Sequence, residues 1–163
     1  MSFFKRFIRP RAKLWLEPEK SSLSLGEELK GIVGIKSEEK FNVQDIVLSL
    51  QCWERVKKTG GYEDVGFFRS DRMMDQLEWH EGEYTYGKIL YSERLLISGQ
   101  MHVRKGLEKE FPFVITIPAN GKETSHSVDR KVVWEISTFM NIKGRRQVET
   151  QELEVLVTSL QHS

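Results

Sequence analysis

The sequence predicts an all-β domain, an immunoglobulin-like sandwich of two antiparallel β-sheets. Apolar residues recur at every second position in seven or more runs, which is the period of strands with one buried face. Turns separate the runs, as at Gly60-Gly61 and Lys143-Gly144. The 163 residues, 39% hydrophobic and 30% charged, have the composition of one folded domain that can bury a core without metals or disulfides.

The first half of the chain contains three alternating runs. Leu14 and Leu16 share one parity, and Pro18 ends their run because proline cannot continue a ladder. The second run places small or apolar residues on one face: Leu29, Gly31, Val33 and Ile35. The third run does so with Ile46, Leu48, Leu50 and Cys52. Its other face is also partly apolar, so we expect this run to be a central strand.

Four further runs follow, at 89–97, 111–117, 128–139 and 148–157. Each has one parity that is mainly apolar, and we expect that parity to face the core. The predicted core residues are Tyr91 and Leu95; Phe111, Phe113, Ile115 and Ile117; Val132, Trp134, Ile136 and Thr138; and Leu153, Val155 and Val157.

Prolines and glycines inside these runs predict local backbone features. Pro112 predicts an edge strand or a bulge, because its missing N–H cannot pair inward. Gly31 and Gly34 predict close approach of the backbone or a bulge. Asn120-Gly121 favours positive φ and a tight reversal.

Several segments together resemble arrestin-type domains. Residues 106–118, GLEKEFPFVITIP, resemble the family's signature of a glycine turn before an aromatic FPF strand that ends in a hydrophobic residue and proline. Ser125 and residues 132–136 look like the serine loop and aromatic strand that follow it. Upstream, residues 25–35 look like the family's second strand and residues 45–50 like the next.

The resemblance spans Ala12 to Val157 and implies an arrestin-like lobe. Arrestins, arrestin-domain trafficking adaptors, the arrestin-fold retromer subunit and bacterial sporulation-control proteins are similar in being scaffolds that bind other proteins. Members usually carry two lobes, whereas this chain has room for one, and by analogy it could dimerise. The expected organisation is an arm at 1–11, the lobe at 12–158 and a short tail at 159–163.

Because the sequence lacks common catalytic and cofactor-binding motifs, we predict that the chain is not an enzyme and needs no cofactor. The G-x-S-x-G elbow, the Walker loop and G-x-G-x-x-G do not occur in the sequence. Cys52 shares the parity of Leu48 and Leu50, so we expect a buried, inert thiol. The alternative is a metal- or ligand-dependent binding protein or enzyme that uses the acidic cluster around His80, formed by Glu78, Glu81 and Glu83.

Charge and targeting signals favour a cytoplasmic protein that does not bind nucleic acid. The net charge is +1, so whole-molecule steering towards DNA or RNA is not expected. The single cysteine weakly favours a reducing compartment. Lys5 and Arg6 interrupt the apolar residues near the N-terminus, so these do not form a secretory signal.

The long segment 58–84 is the first candidate for partner binding. In position and composition it looks like the arrestin finger loop, and a short helix at 70–77 is compatible with its spacing. The alternative is that its apolar side chains cap the open end of the core. The candidate residues are Tyr62, Val65, Phe67, Phe68, Arg69, Arg72, Met73 and Met74.

The N-terminal arm and the edge strands are the other candidates. The arm interleaves basic and aromatic residues, which suits an anionic membrane surface or an acidic partner, although it could equally be a frayed terminus packed on the sandwich. Its residues are Phe3, Phe4, Lys5, Arg6, Phe7, Arg9 and Arg11. An extended partner segment could also add to an open sheet edge.

We therefore predict a non-catalytic scaffold or adaptor, of the signalling or trafficking kind, that binds protein partners through loops or edge strands. A peripheral membrane protein held by residues 1–11 is the second alternative, beside the metal-dependent one.

Overall fold

The computed structural model describes the backbone of residues 9–59, 78–80 and 83–159 and the side chains within 9–57 and 87–159. All regular structure in these ranges is β-strand, as predicted. The strands are β1 (Ala12–Pro18), β2 (Ser22–Ser24), β3 (Glu28–Ser37), β4 (Phe41–Thr59), β5 (Glu78–His80), β6 (Glu83–Ser98), β7 (Met101–Val103), β8 (Glu108–Thr116), β9 (Ser125–His126), β10 (Arg130–Ile142), β11 (Val148–Glu149) and β12 (Leu153–Thr158).

The strands form two sheets, which confirms the predicted sandwich. The small sheet has the order β1-β3-β8. The large sheet has the order β2-β12-β10-β4-β6-β5, with β9 and β11 added to β10 and β7 added to β4. The described pairings are antiparallel except that of β2 with β12, which is parallel. Strand β4 pairs with β10 on one side and β6 on the other, so the third predicted run is indeed central.

The core lies between the two sheets and holds the residues that the alternation predicts. From the small sheet, Leu29, Val33 and Ile35 are fully buried. The large sheet contributes side chains such as Leu50 and Trp134, whose indole Nε1 donates to the Lys122 carbonyl at 2.8 Å. Full burial of one such aliphatic side chain contributes about 1.5–3 kcal/mol, so the alternating inward positions stabilise the sandwich.

Two prolines lie at outward-facing positions on the edges of the small sheet. Ser37 N donates to Leu107 O and Ile117 N donates to Glu27 O, so the odd-numbered residues of β8 bond to β3. Pro112 is even-numbered and directs its nitrogen to the open edge, which confirms the predicted edge position. The same parity argument applies to β1, where Glu19 N donates to Lys30 O and Pro18 therefore also faces outward. Neither proline removes a hydrogen bond from the sheet.

The glycines of β3 allow close approach, as predicted. A Cβ at Gly31 would lie 2.5 Å from the Glu17 carbonyl oxygen and 2.7 Å from Phe113 Cζ. A Cβ at Gly34 would overlap the indole ring of Trp15, which lies across the outer face of β3. Both positions therefore need glycine for space, since neither has positive φ.

The predicted reversal at Asn120-Gly121 is correct in position and wrong in conformation. Positive φ occurs in the described residues at Gly26, Gly106 and Gly144, and neither Asn120 nor Gly121 has it. The turn is closed by Gly121 N, which donates to Pro118 O at 3.1 Å. A Cβ on Gly121 would lie 3.0 Å from the Trp134 ring, so packing explains the glycine.

Two predicted runs have different bounds in the structure. Strand β10 begins at Arg130, and Val128 is 90% exposed in a turn in which the Ser127 hydroxyl donates to Arg130 O and accepts from Arg130 N. The last run is interrupted after Glu149, so Leu153 is exposed rather than part of the core. Thr138 is buried as predicted, but its hydroxyl oxygen has no hydrogen-bond partner.

The interruption between β11 and β12 has a local cause. Thr150 N donates to Thr138 O, and Thr138 N donates to the Thr150 hydroxyl, both at 2.9 Å. Thr150 thus satisfies the backbone N–H and the carbonyl of Thr138, one with its hydroxyl and the other with its own N–H. Residues 151–152 therefore do not continue the strand.

Within the described ranges, no helix has the length and apolarity needed to cross a membrane.

Candidate interaction surface

Most of the predicted binding residues lie outside the described residues. This applies to Tyr62, Val65, Phe67, Phe68, Arg69, Arg72, Met73 and Met74, and to Phe3, Phe4, Lys5, Arg6 and Phe7. It also applies to the predicted helix at 70–77 and to the side chains around His80. These assignments therefore stay predictions. Arg9 and Arg11 are described, and both are exposed.

Arg11 takes part in a charged cluster at the start of the lobe. Its Nε lies 3.8 Å from Glu39 Oε2, and Arg145 Nη1 lies 2.7 Å from Glu39 Oε1. Burial alone would raise the pKa of Glu39, but the Arg11 backbone N–H and the Arg145 guanidinium outweigh it and lower that pKa. The cluster ties the β3–β4 connection to the residues before β1 and after β10, so Arg11 has a structural role.

The outer face of the large sheet carries a cleft that no sequence motif predicts. It forms where β11 and β12 are interrupted beside β10, and its volume is about 400 Å³. We call it the acidic cleft, and its lining residues are Ser137, Phe139, Glu149, Thr150, Gln151 and Glu152.

Carboxyl groups concentrate beside this cleft. Glu135 lies on the outer face of β10, directly opposite Glu154 of β12. Burial raises the pKa of Glu135 to about 7, with hydrogen bonding to and repulsion from Glu152 acting in the same direction. Arg55 opposes this rise from 3.9 Å away, and Glu154 adds to it. The Glu135 carboxyl therefore changes from protonated to ionised near neutral pH.

Two serines lie side by side on this face. Ser137 of β10 is directly opposite Ser49 of β4, and both side chains are more than nine-tenths buried. Ser137 lines the acidic cleft, and its hydroxyl has no hydrogen-bond partner among the described residues. Its hydroxyl is not among the fully buried side-chain groups without a partner, so it opens into the cleft.

An exposed apolar row adjoins the acidic cleft. Phe139, Val47 and Leu96 lie opposite one another across β10, β4 and β6, on the outer face of the large sheet. Phe139 and Val47 are half-buried, and Leu96 is 64% exposed. Phe139 belongs both to this apolar row and to the acidic cleft, so the two form one continuous surface.

The remaining described groups of chemical interest are a buried thiol, the scattered acidic and imidazole side chains, and a second cleft. Cys52 is buried, as predicted, and burial raises the pKa of its thiol to about 11. Within 9–57 and 87–159, no three His, Cys, Asp or Glu side chains converge in a way that could hold a metal ion. A second cleft, of about 460 Å³, has mainly polar walls that include Asn42, His102 and Lys143.

The acidic cleft and the apolar row are absent from the sequence predictions because no local motif encodes them. Glu135 and Glu152 are brought together by the pairing of β10 with β12 and by the break before it. The spacing of Glu149, Glu152 and Glu154 was the available signal, but it is equally typical of a solvated edge strand.

Two sheets of this order, closed around one core, define an arrestin-like β-sandwich, so the predicted resemblance is confirmed at the level of the fold. The solved structure of Spo0M, a sporulation control protein from Bacillus subtilis, is similar to this chain with a TM-score of 0.63 at 20% identity. The likeness covers 94% of this chain and 51% of Spo0M, so the chain spans about half the length of that protein. No protein-family model and no curated protein matches the sequence.

Proposed function

We propose that the chain is a non-catalytic interaction module that binds a protein partner on the outer face of its large sheet. The observation that carries the proposal is the apolar row beside the acidic cleft, in which Leu96 is 64% exposed. Apolar anchors next to charged groups are what protein interfaces use for affinity and specificity.

The fold supports this proposal in a general way. The arrestin-like proteins that the sequence resembles are scaffolds, and Spo0M, which shares the fold, is a sporulation control protein. A role in regulation or as an adaptor is the corresponding proposal for this chain. The segment 58–84 and the arm 1–11 stay additional predicted contact regions, and cytoplasmic location stays a prediction.

Site-specific photocrosslinking tests the proposed surface. A photoreactive phenylalanine analogue at Leu96 or Gln151 probes the apolar row and the acidic cleft. The matched control is Val114, which is 49% exposed on the outer face of the small sheet. We expect a discrete crosslinked partner in cells from positions 96 and 151 and none from 114.

Two results would contradict the proposal. Crosslinks that form equally from all three positions would indicate non-specific contact. Crosslinks that form from Phe67 or Phe68 but from neither 96 nor 151 would assign partner binding to the segment 58–84 instead.

A further inference from the structure

The carboxyl groups in and beside the acidic cleft outnumber the basic side chains that lie next to them. Glu149 and Glu152 line it, and Glu135 and Glu154 adjoin it. The opposing groups are Arg55, 3.9 Å from Glu135, and His126, whose Nε2 lies 3.4 Å from Glu154 Oε1 and which is charged only if protonated. Both side chains are half-exposed, and ion pairs of that kind are weak in water. The carboxyls therefore favour an additional positive charge.

Ser137 gives a second and independent indication of a ligand. Its side chain is 7% exposed, it lines the acidic cleft, and its hydroxyl has no hydrogen-bond partner among the described residues. Serine hydroxyls are both donors and acceptors, so a ligand in the cleft can donate an N–H to the Ser137 hydroxyl, which opens into it.

The lining groups suit an organic cation better than a metal ion. The described His, Cys, Asp and Glu side chains do not converge closely enough to coordinate a metal. An ammonium or guanidinium group has several N–H donors and can contact separated acceptors, here the Glu152 carboxyl and the Ser137 hydroxyl. Phe139 gives the cleft an apolar wall against which an aliphatic stem can pack.

We infer that the acidic cleft receives a lysine or arginine side chain of the protein partner. This inference rests on the proposed function and specifies the chemistry of that partner. The apolar row binds the adjacent apolar residues of the same partner segment, since Phe139 is common to both parts of the surface.

The affinity for a cation depends on pH through Glu135. Four groups act on it directly or through Glu154: Arg55 from β4, Glu152 from the connection, Glu154 from β12, and His126 from β9. Loss of the Glu135 proton adds a negative charge, which strengthens cation binding as pH rises from 6 to 8.

Amide-shift titration by NMR tests the inference with a defined probe. The probe is N-acetyl-arginine amide, and its neutral isostere N-acetyl-citrulline amide is the control. We expect saturable shifts at residues 135–139 and 149–153 with the arginine probe, no saturation with citrulline, and binding up to about tenfold weaker at pH 6 than at pH 8.

Substitutions identify the groups responsible. Glu152 is exposed, so Glu152→Gln should fold normally and weaken binding severalfold, and Ser137→Ala should weaken it without altering the pH dependence. Glu110→Gln, on the exposed face of β8, is the matched control and should bind as the unaltered chain does. Equal binding by Glu152→Gln and the unaltered chain, or equal shifts with citrulline, would overturn the inference.

Failure of this inference and failure of the proposed function are distinguishable. If position 96 crosslinks a partner but the arginine probe causes no saturable shift, the interaction module stands and the basic side chain is excluded. If light scattering shows a dimer that Glu152→Gln dissociates, the basic side chain comes from a second copy of this chain, and the assignment of the cleft to a separate protein partner is overturned.

Discussion

The edges of the small sheet disfavour the addition of a partner strand, whereas the outer face of the large sheet exposes side chains that a partner can contact. On both edges of the small sheet an outward-facing proline, Pro18 on β1 and Pro112 on β8, removes a main-chain donor. On the large sheet the interruption after Glu149 opens a cleft, and β10, β4 and β6 expose an apolar row.

The difference indicates which mode of recognition the lobe can support. A partner strand that added to β8 would lose one hydrogen bond at Pro112, so β-augmentation there, one of the predicted modes, is disfavoured. Recognition through side chains on the large sheet has no such cost. We therefore expect substitutions in the small sheet to change stability and solubility, and substitutions on the large sheet to change binding.

The largest effect is expected from Gly31→Ala in the small sheet. The new Cβ would lie 2.5 Å from the Glu17 carbonyl oxygen, which is backbone and cannot move without displacing β1. Overpacking of this kind costs about 1–3 kcal/mol, and the backbone contact places Gly31→Ala at or above the upper end. Urea denaturation would measure the change in the free energy of unfolding.

Gly34→Ala is the matched comparison on the same strand. Its new Cβ would meet the half-buried Trp15 ring, which can rotate away from β3. We expect a smaller loss than for Gly31→Ala. A larger loss would mean that the position of Trp15, and not the spacing of β1 and β3, limits the small sheet.

On the large sheet, Glu135→Gln is expected to stabilise the lobe above neutral pH. The pKa of Glu135 is raised from 4.5 to about 7 on folding. A carboxyl whose pKa is raised on folding contributes to the free energy of unfolding below the pKa of the unfolded state. For Glu135 this contribution is lost as pH increases from 4.5 to about 7. Glutamine carries no charge, so we expect a gain of about 1–3 kcal/mol at pH 8 and little at pH 4.

Glu39 provides the opposite case and therefore a control. Partial burial would raise the pKa of Glu39, but Arg11 and Arg145 lower it. Glu39 therefore contributes to the free energy of unfolding above its ordinary pKa of 4.5, and this contribution is lost as pH falls below that value. Glu39→Gln should lower stability at pH 7, and Glu135→Gln should not. A loss of stability at pH 8 in Glu135→Gln would show that the pairing with Arg55 outweighs the burial of the carboxyl.

Alternation in the sequence was sufficient to predict the sandwich because burial in a strand follows residue parity. Leu29, Val33, Ile46 and Leu50 are buried for that reason alone. Conformation at turns was less predictable. At Gly121 the relevant constraint is the Trp134 ring, which is distant in sequence and enters only through tertiary packing.

The candidate surface was not predictable for the same kind of reason. It depends on Thr150 satisfying both backbone groups of Thr138 and on strand pairing that brings Glu154 opposite Glu135. Neither contact has a local sequence signature. Composition instead favoured residues 62–74 and 1–11, which are rich in aromatic and basic groups but lie outside the described ranges, apart from residues 9–11.

A smaller effect is expected from Thr138→Val in the core of β10. The Thr138 hydroxyl oxygen is fully buried without a hydrogen-bond partner, and valine has nearly the same shape without that group. We expect stabilisation of about 1 kcal/mol, measured as a rise in the urea midpoint. Thr124→Val should instead destabilise, because the Thr124 hydroxyl accepts a hydrogen bond from Val157 N at 2.8 Å.

The smallest effect on stability is expected from Pro112→Val, which tests the role of the small-sheet edge directly. Pro112 makes no ladder bond to β3, so its replacement should change the free energy of unfolding by no more than about 0.5 kcal/mol. Valine restores an N–H at the open edge, so light scattering should show stronger concentration-dependent association. Thr116→Val places the same side chain at another outward position of β8 without adding a donor. If both variants associate equally, added apolar surface and not the missing N–H explains the effect, and the proline does not protect this edge.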